Sequence, residues 1–213
     1  MISGILLAAG MSRRFEDNKL LAELEAGTVI EYSFYRLLNS NVSEVIVVLG
    51  WQAVMIEKRL NDVLEKLYNE RKKNEPEKKG KEMPVKYVYA PYYSYGQAHS
   101  LTTGLRKVDK KSEGALFYLA DQPFIKIDTI HSIVEYFENT SYEVVIPVFN
   151  DKRGNPTIFD QSMFPKLLRL SGDEGGKKLI KKADVGYMEV DDPEILFDID
   201  NKEDFEKAKA KEK

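Results

Sequence analysis

Residues Leu6 to Lys19 read LLAAGMSRRFEDNK: an apolar run, one glycine, then a basic loop. The run Ile5, Leu6, Leu7, Ala8, Ala9 predicts a strand covered on both faces, because no polar residue alternates with the apolar ones. Gly10 lets the backbone turn sharply and approach a ligand without a Cβ in the way. Ser12, Arg13, Arg14 and Lys19 load the following loop and suit a polyphosphate: a guanidinium forks onto two oxygens, and an ammonium adds a compact point charge. A P-loop would need GxxxxGK followed by Ser or Thr, and a dinucleotide fingerprint would need GxGxxG. Neither spacing fits this loop.

Working outward, apolar strand-like runs alternate with longer helical stretches. Val29 to Leu38 has helical spacing, and Glu44 to Leu49 contains the β-branched run Val45-Ile46-Val47-Val48. A second helix is expected from about Gln52 to Glu70, with Val54, Leu60, Leu64 and Leu67 near one stripe. Residues 70–84, with mixed charges, Pro76, Gly80 and Pro84, read as a solvated connection. Further strands are predicted at Val85–Tyr89, Ala115–Leu119 and Val144–Val148, and helices at Ser100–Lys107 and Thr129–Glu138. This alternation predicts a parallel α/β fold. Such sheets bind ligands at the carboxyl ends of their strands, where Ala9-Gly10, Tyr89-Ala90 and Ala120-Asp121 fall.

The chain has 213 residues, 43% of them hydrophobic, enough for one domain over 1–213 with a full core and a frayed tail at 206–213. A net charge of −3 provides no global field for nucleic acid or an anionic membrane, so the expected partner is a small molecule. No run approaches a membrane span and Met1-Ile2-Ser3-Gly4 lacks a basic leader start, which points to the cytoplasm. With no cysteine, disulfides, thiolate zinc sites and cysteine nucleophiles are excluded together.

A second informative segment is GALFYLADQPFI, Gly114 to Ile125. Its strand ends at Asp121, and Pro123 stops the ladder two residues later, displaying the carboxylate at the sheet rim. Beside a phosphate grip, Asp121 suits Mg²⁺, which takes oxygen ligands and shares substrate phosphates. In Phe197-Asp198-Ile199-Asp200, strand alternation would place both aspartates on one face before a helix starting near Asn201. Two acidic ends could share one metal.

These stretches resemble the MobA-like nucleotidyltransferases, the group that includes molybdenum-cofactor cytidylyl- and guanylyltransferases. AAGMSRRFEDNK is similar to the signature AAGxSxRFGxxK. Tyr95 to Leu105 is similar to the GQxxSLxxGL segment of the cytidylyltransferase branch, and Leu119-Ala120-Asp121-Gln122-Pro123 to its LADQP metal motif. Arg153-Gly154-Asn155-Pro156 resembles the RGxP turn, Leu170 to Gly176 the LxGDxGxR stretch, and Asp198 to Asp204 the terminal DIDTPED motif. Glu16 stands where the signature has glycine, His99, Thr102 and Thr103 depart from the GQSSSLRxG pattern, and Gly176-Lys177 departs from GAR.

The resemblance implies a single-domain Rossmann-like fold of the GT-A or nucleotide-diphospho-sugar transferase type, with a mostly parallel sheet flanked by helices. It implies that backbone groups of Leu7, Ala8, Ala9 and Gly10 hold the base and ribose. Arg14 and Lys19 would bind phosphates and act in catalysis with Asp121, while Gln97 and Ser100 would face the base or sugar. Asp121 with Asp198 or Asp200 would hold Mg²⁺. The implied reaction transfers a nucleoside monophosphate, CMP from CTP, to a phosphorylated pterin of the molybdopterin type, releasing pyrophosphate. Alternatives are a transferase using GTP or a sugar phosphate, and a nucleotide-binding module without turnover. A dinucleotide oxidoreductase is opposed by the missing GxGxxG. His99 and His131 are assigned no chemistry, Trp51 reads equally as a pocket wall or a buried anchor, and Tyr92, Tyr93 and Tyr95 as a stacking surface or a packed loop. Spacing leaves base, acceptor and oligomeric state open.

Overall fold

A computed structural model describes residues 1–12, 14–15, 17–74, 83–172 and 175–212, apart from the side chains of Arg71, Asn74 and Lys177. The strand of the opening stretch, β1 (Ile2–Ala8), lies between β2 (Glu44–Leu49) and β4 (Gly114–Leu119), parallel to both. β3 (Val85–Tyr89) adds in parallel outside β2. The predicted connecting helices are present as α1 (Val29–Leu38), α2 (Ala53–Asn74), α3 (Gln97–Leu105) and α4 (Ile127–Glu138). α1 starts where it does because the Glu31 carboxylate accepts from the N–H and the hydroxyl of Thr28, at 2.5 and 2.7 Å. That closes an otherwise unpaired first turn.

The far half of the sheet supplies the antiparallel strands of the mostly parallel sheet. β7 (Thr157–Asp160) runs antiparallel to β4 and to β5 (Val144–Phe149), and β6 (Lys152–Arg153) returns antiparallel on β5. β8 (Val185–Glu189) pairs in parallel with β5. The strand order is β3-β2-β1-β4-β7-β5-β6, with β8 on β5. Among the described residues, short helices α5 (Phe164–Leu167) and α6 (Lys177–Ile180) and the terminal α7 (Lys202–Lys211) complete the chain.

Alternation along β1 accounts for its unbroken hydrophobicity. Leu6 and Ala8 pack on one side with Phe34 of α1 and Ile130 of α4, while Ile5 and Ala9 pack on the other with Leu101 and Leu105 of α3. Both faces are covered. On the second face α3 sits close to the sheet, since a Cβ at Gly104 would lie 2.7 Å from side-chain atoms of Ile5 and Val48.

Several boundaries differ from the sequence expectations. α2 continues to Asn74, so residues 70–74 belong to the helix, and 75–82 of the charged connection lie outside the described residues. α3 begins three residues before Ser100, after Gly96, whose φ of 124° is open to glycine and strained for other residues. Residues 197–200 form no strand of the sheet. Their alternation persists in extended chain, with Ile199 buried and its N–H donating to the Asp121 carbonyl at 3.0 Å. Residues 206–211 belong to helix α7. Lys211 pairs with Glu194 at 2.5 Å and lies 4.2 Å from the Phe197 ring centroid, and Glu212 accepts from the Tyr32 hydroxyl.

Candidate active site

The parallel pairing of β1 and β4 sets Leu7 opposite Leu119, so the loops after these strands leave the sheet side by side. Two bonds hold the β4 exit: the Ala120 N–H donates to the Leu7 carbonyl at 3.2 Å, and the Ser33 hydroxyl of α1 donates to the Ala120 carbonyl at 2.8 Å. Asp121 is the next residue. On the β1 side, Ser12 takes the left-handed conformation, φ 47°, and its Oγ accepts from the Lys19 N–H at 3.2 Å. Asn18 caps the short turn Lys19–Leu21 by accepting from the Leu20 N–H, and donates to the Trp51 carbonyl. The basic loop is thereby folded back so that Lys19 points across to β4.

Lys19 is 8% exposed, and its Nζ lies 2.7 Å from Asp121 Oδ2 and 3.0 Å from Asp200 Oδ1. Arg14 Nη2 reaches Asp200 Oδ2 at 2.7 Å. One carboxylate oxygen from each of Asp121, Asp198 and Asp200 falls within 4.8 Å of the others. Asp121 Oδ1 is buried without a hydrogen-bond partner. Burial and the neighbouring Asp121 and Asp200 push the Asp198 carboxyl above its ordinary value. For Asp200, burial acts upward but Lys19 and Arg14 outweigh it and hold the carboxyl low. Burial acts downward on Lys19, and Asp121 and Asp200 outweigh it, holding the ammonium protonated to a higher pH than usual.

This cluster sits in the wall of a cavity of about 540 Å³. Of the residues singled out in the sequence, Leu7, Ala9, Gly10, Arg14, Lys19, Gln97, Ser100, Asp121 and Asp200 line it. Ala8 does not, because strand alternation turns its side chain into the α1/α4 core. Asp198 is exposed beside the cavity and joins it only through the carboxylate cluster. Gly10 lines the cavity with open space where a Cβ would stand, but the left-handed turn belongs to Ser12. Gly50, at the end of β2, has the tighter constraint: its Cβ would meet the Ala9 carbonyl oxygen at 2.7 Å and Tyr93 Cγ at 2.8 Å. Glu16 and Arg13 lie outside the described residues, as do Asp173 and Glu174.

Tyr93, Ser94, Tyr95 and Gly96 also line the cavity. The readable signal for this wall was Gly96 after a tyrosine run. Trp51 contributes its carbonyl to Asn18 and does not line the cavity. The two remaining motifs act from behind. A Cβ at Gly154 would lie 2.6 Å from the Ile195 carbonyl oxygen, the Asn155 N–H donates to that same carbonyl at 3.1 Å, and Gln122 Nε2 reaches it at 3.3 Å. Asp192, fully buried, accepts from the Lys126 N–H, the Thr129 hydroxyl and the Glu194 N–H. These contacts fix the chain just ahead of Asp198 and Asp200. From the LxGDxGxR-like stretch, the Gly172 carbonyl accepts from the Ala98 N–H at 3.1 Å, tying that loop to the start of α3.

A helix-flanked, mostly parallel sheet with a basic loop after β1 and Asp121 at the neighbouring strand end puts a charged site where Rossmann-like sheets bind their ligands. The chain belongs to the MobA-like NTP transferase family, whose domain it matches over residues 4–186. It is similar to the purine catabolism protein PucB of Bacillus subtilis, 27% identical over 95% of this chain and 93% of that one. It is also similar to the molybdenum cofactor cytidylyltransferase of Escherichia coli, 22% identical over 99% and 96%. The fold is shared with the Mycobacterium tuberculosis protein Rv0371C in complex with manganese: TM-score 0.72, 22% identity, 97% and 96% coverage.

Proposed function

We propose that this transferase moves CMP from CTP to a phosphorylated molybdopterin-type pterin and releases pyrophosphate. The observation that carries the reading is the meeting of Lys19, Asp121 and Asp200 in the wall of one cavity, with Arg14 on the same carboxylate. The cytidylyltransferase relative and the GQxxSL-like start of α3 support the choice of nucleotide and acceptor.

The residues present fit a divalent cation: three carboxylate oxygens lie close enough to share an ion, and Asp121 Oδ1 is buried with no other partner. An all-oxygen set suits a hard cation such as Mg²⁺, held by Asp121, Asp198 and Asp200. When bound it supplies Lewis-acid stabilisation of phosphate charge. Arg14 and Lys19 turn from the carboxylates to the nucleotide phosphates and stabilise charge on the departing pyrophosphate. The backbone at Leu7 to Gly10 receives the base and ribose, and Gln97 and Ser100 face the base or sugar. An acceptor phosphate oxygen forms a bond to the α-phosphorus as the α–β bridging P–O bond breaks, in line, and pyrophosphate takes the bonding pair. No covalent enzyme intermediate is needed. Both substrates are small, and no helix among the described residues is long and apolar enough to cross a membrane.

The test incubates purified protein with each nucleoside triphosphate in turn, Mg²⁺ and phosphorylated pterin, and measures pyrophosphate. Release is expected with CTP, above an Asp121→Ala control. Release only with GTP, or only with a sugar phosphate as acceptor, would reassign the substrate. No release with any pair, together with a CTP-induced rise in melting temperature, would leave a binding module in place of a transferase.

A further inference from the structure

The cavity has one wall that the transfer chemistry does not use. Tyr92, Tyr95 and His99 form an aromatic cluster at its rim, with centroids 6.0 Å apart for Tyr92 and His99, 6.2 Å for the two tyrosines and 6.4 Å for Tyr95 and His99. The rings meet at 56° to 74°, tilted and edge-on, so none is consumed by face-to-face stacking. Tyr95 is 71% exposed and lines the cavity, while Tyr92, 61% exposed, braces it from outside. Gly96, in a conformation strained for other residues, sets the turn between this ring and α3.

We propose that Tyr95 is the stacking platform for the planar heteroaromatic ring of the acceptor, with Tyr92 and His99 as the residues that position it. The assignment rests on the transferase reading above and deepens it to the class of acceptor. The cavity grades from a buried floor to an open rim: Ala9 and Ser100 are 3% and 7% exposed, against 71% for Tyr95. A nucleotide held by strand-end backbone and by Lys19 occupies the floor. The second substrate then arrives from the rim, where an open ring face offers contact area without demanding a fixed hydrogen-bond pattern. A flat heteroaromatic ring can cover the tyrosine face more fully than the puckered ring of a sugar phosphate, so the platform favours a planar heteroaromatic acceptor.

The test uses pterin-6-carboxylate as a fluorescent planar probe and cytidine α,β-methylene triphosphate with Mg²⁺ as the nucleotide, with binding of each read separately by anisotropy and calorimetry. Tyr95→Leu is expected to weaken the pterin about tenfold, and Tyr95→Phe, which keeps the ring, to stay within about twofold. Nucleotide affinity stays unchanged in both, which also verifies the fold. The assignment is overturned if Tyr95→Leu binds pterin as wild type does, if wild-type protein that binds the nucleotide binds no pterin, or if the tenfold loss falls on the nucleotide, which would make Tyr95 a platform for the base. Tyr95-dependent pterin binding without pyrophosphate release would uphold the platform and remove only the transfer reading.

Discussion

From β3 to β4 the sheet pairs in parallel throughout and its connections run through helices, whereas from β4 to β6 every pairing along the sheet is antiparallel. The first region displays Asp121 at a strand end and brings Lys19 to it on the loop after β1, held by nearby bonds such as that from the Leu20 N–H to Asn18. The second supplies Asp198 and Asp200 from extended chain held by Gly154, Gln122 and Asp192. Half of the charge cluster thus comes from a strand end and the loop folded against it, and half from packing beneath an extended segment. A defect in the first region should change chemistry directly; one in the second should change it by displacement.

The largest expected effect comes from separating the two halves at their junction. Asp121→Asn should lower pyrophosphate release by about 10²- to 10³-fold while leaving the melting temperature close to wild type. A loss of folding instead would place Asp121 among the structural residues. Next, Gly154→Ala drives a Cβ into the Ile195 carbonyl and should cost about 3 kcal/mol, a fall of about 6–10 °C in melting temperature, with lowered kcat as Asp198 and Asp200 shift. Unchanged kcat at reduced stability would uncouple the second region from the site.

A control lies at the opposite end of the parallel strands. Glu44 is buried and accepts from the Ser3 hydroxyl at 2.6 Å and the Asp109 N–H at 2.8 Å, with Lys86 at 2.6 Å. Burial acts upward on this carboxyl, but Lys86, Ser3 and the Asp109 amide outweigh it and hold it below its ordinary value. Such a group contributes stability above its unfolded-state value and loses it as pH falls through the folded-state value. Glu44→Gln should therefore cost about 2 kcal/mol at pH 7 and progressively less in acid melts, with kcat unaltered. A gap that widens in acid would reverse the sign. The smallest effect belongs to Lys211→Met. Removing a partly exposed ion pair and a ring contact should cost under about 1 kcal/mol in chemical denaturation.

The same division explains what could be read in advance. β1, α1, β2, β3, β4 and α4 are legible because each carries its own period, cap or β-branched run: Thr28 with Glu31, Val45 to Val48, Gly114 to Leu119. Lys19, Asp121 and Asp200 are legible as charged residues next to such runs. β7, with four residues, and β8, whose one buried position is Gly186 among half-buried and exposed neighbours, carry too little pattern, so of this half of the sheet only β5 was read. Residues 197–200 show strand alternation without a strand because Ile199 is the only one of the four that is buried. Tyr95 was visible as a residue, but its place in the cavity follows from the turn at Gly96 and the approach of Tyr93 to Gly50.

The ion pairs of Lys19 span 102 residues to Asp121 and 181 to Asp200. During synthesis, a chain emerging from the ribosome can present its basic loop and the end of β4 long before residue 200 exists, because domains gain structure as they are made. Contacts this distant in sequence are also slow to form. Nucleotide protection of the nascent chain should therefore appear late, as one of the last steps of maturation, when the two regions close on the same lysine.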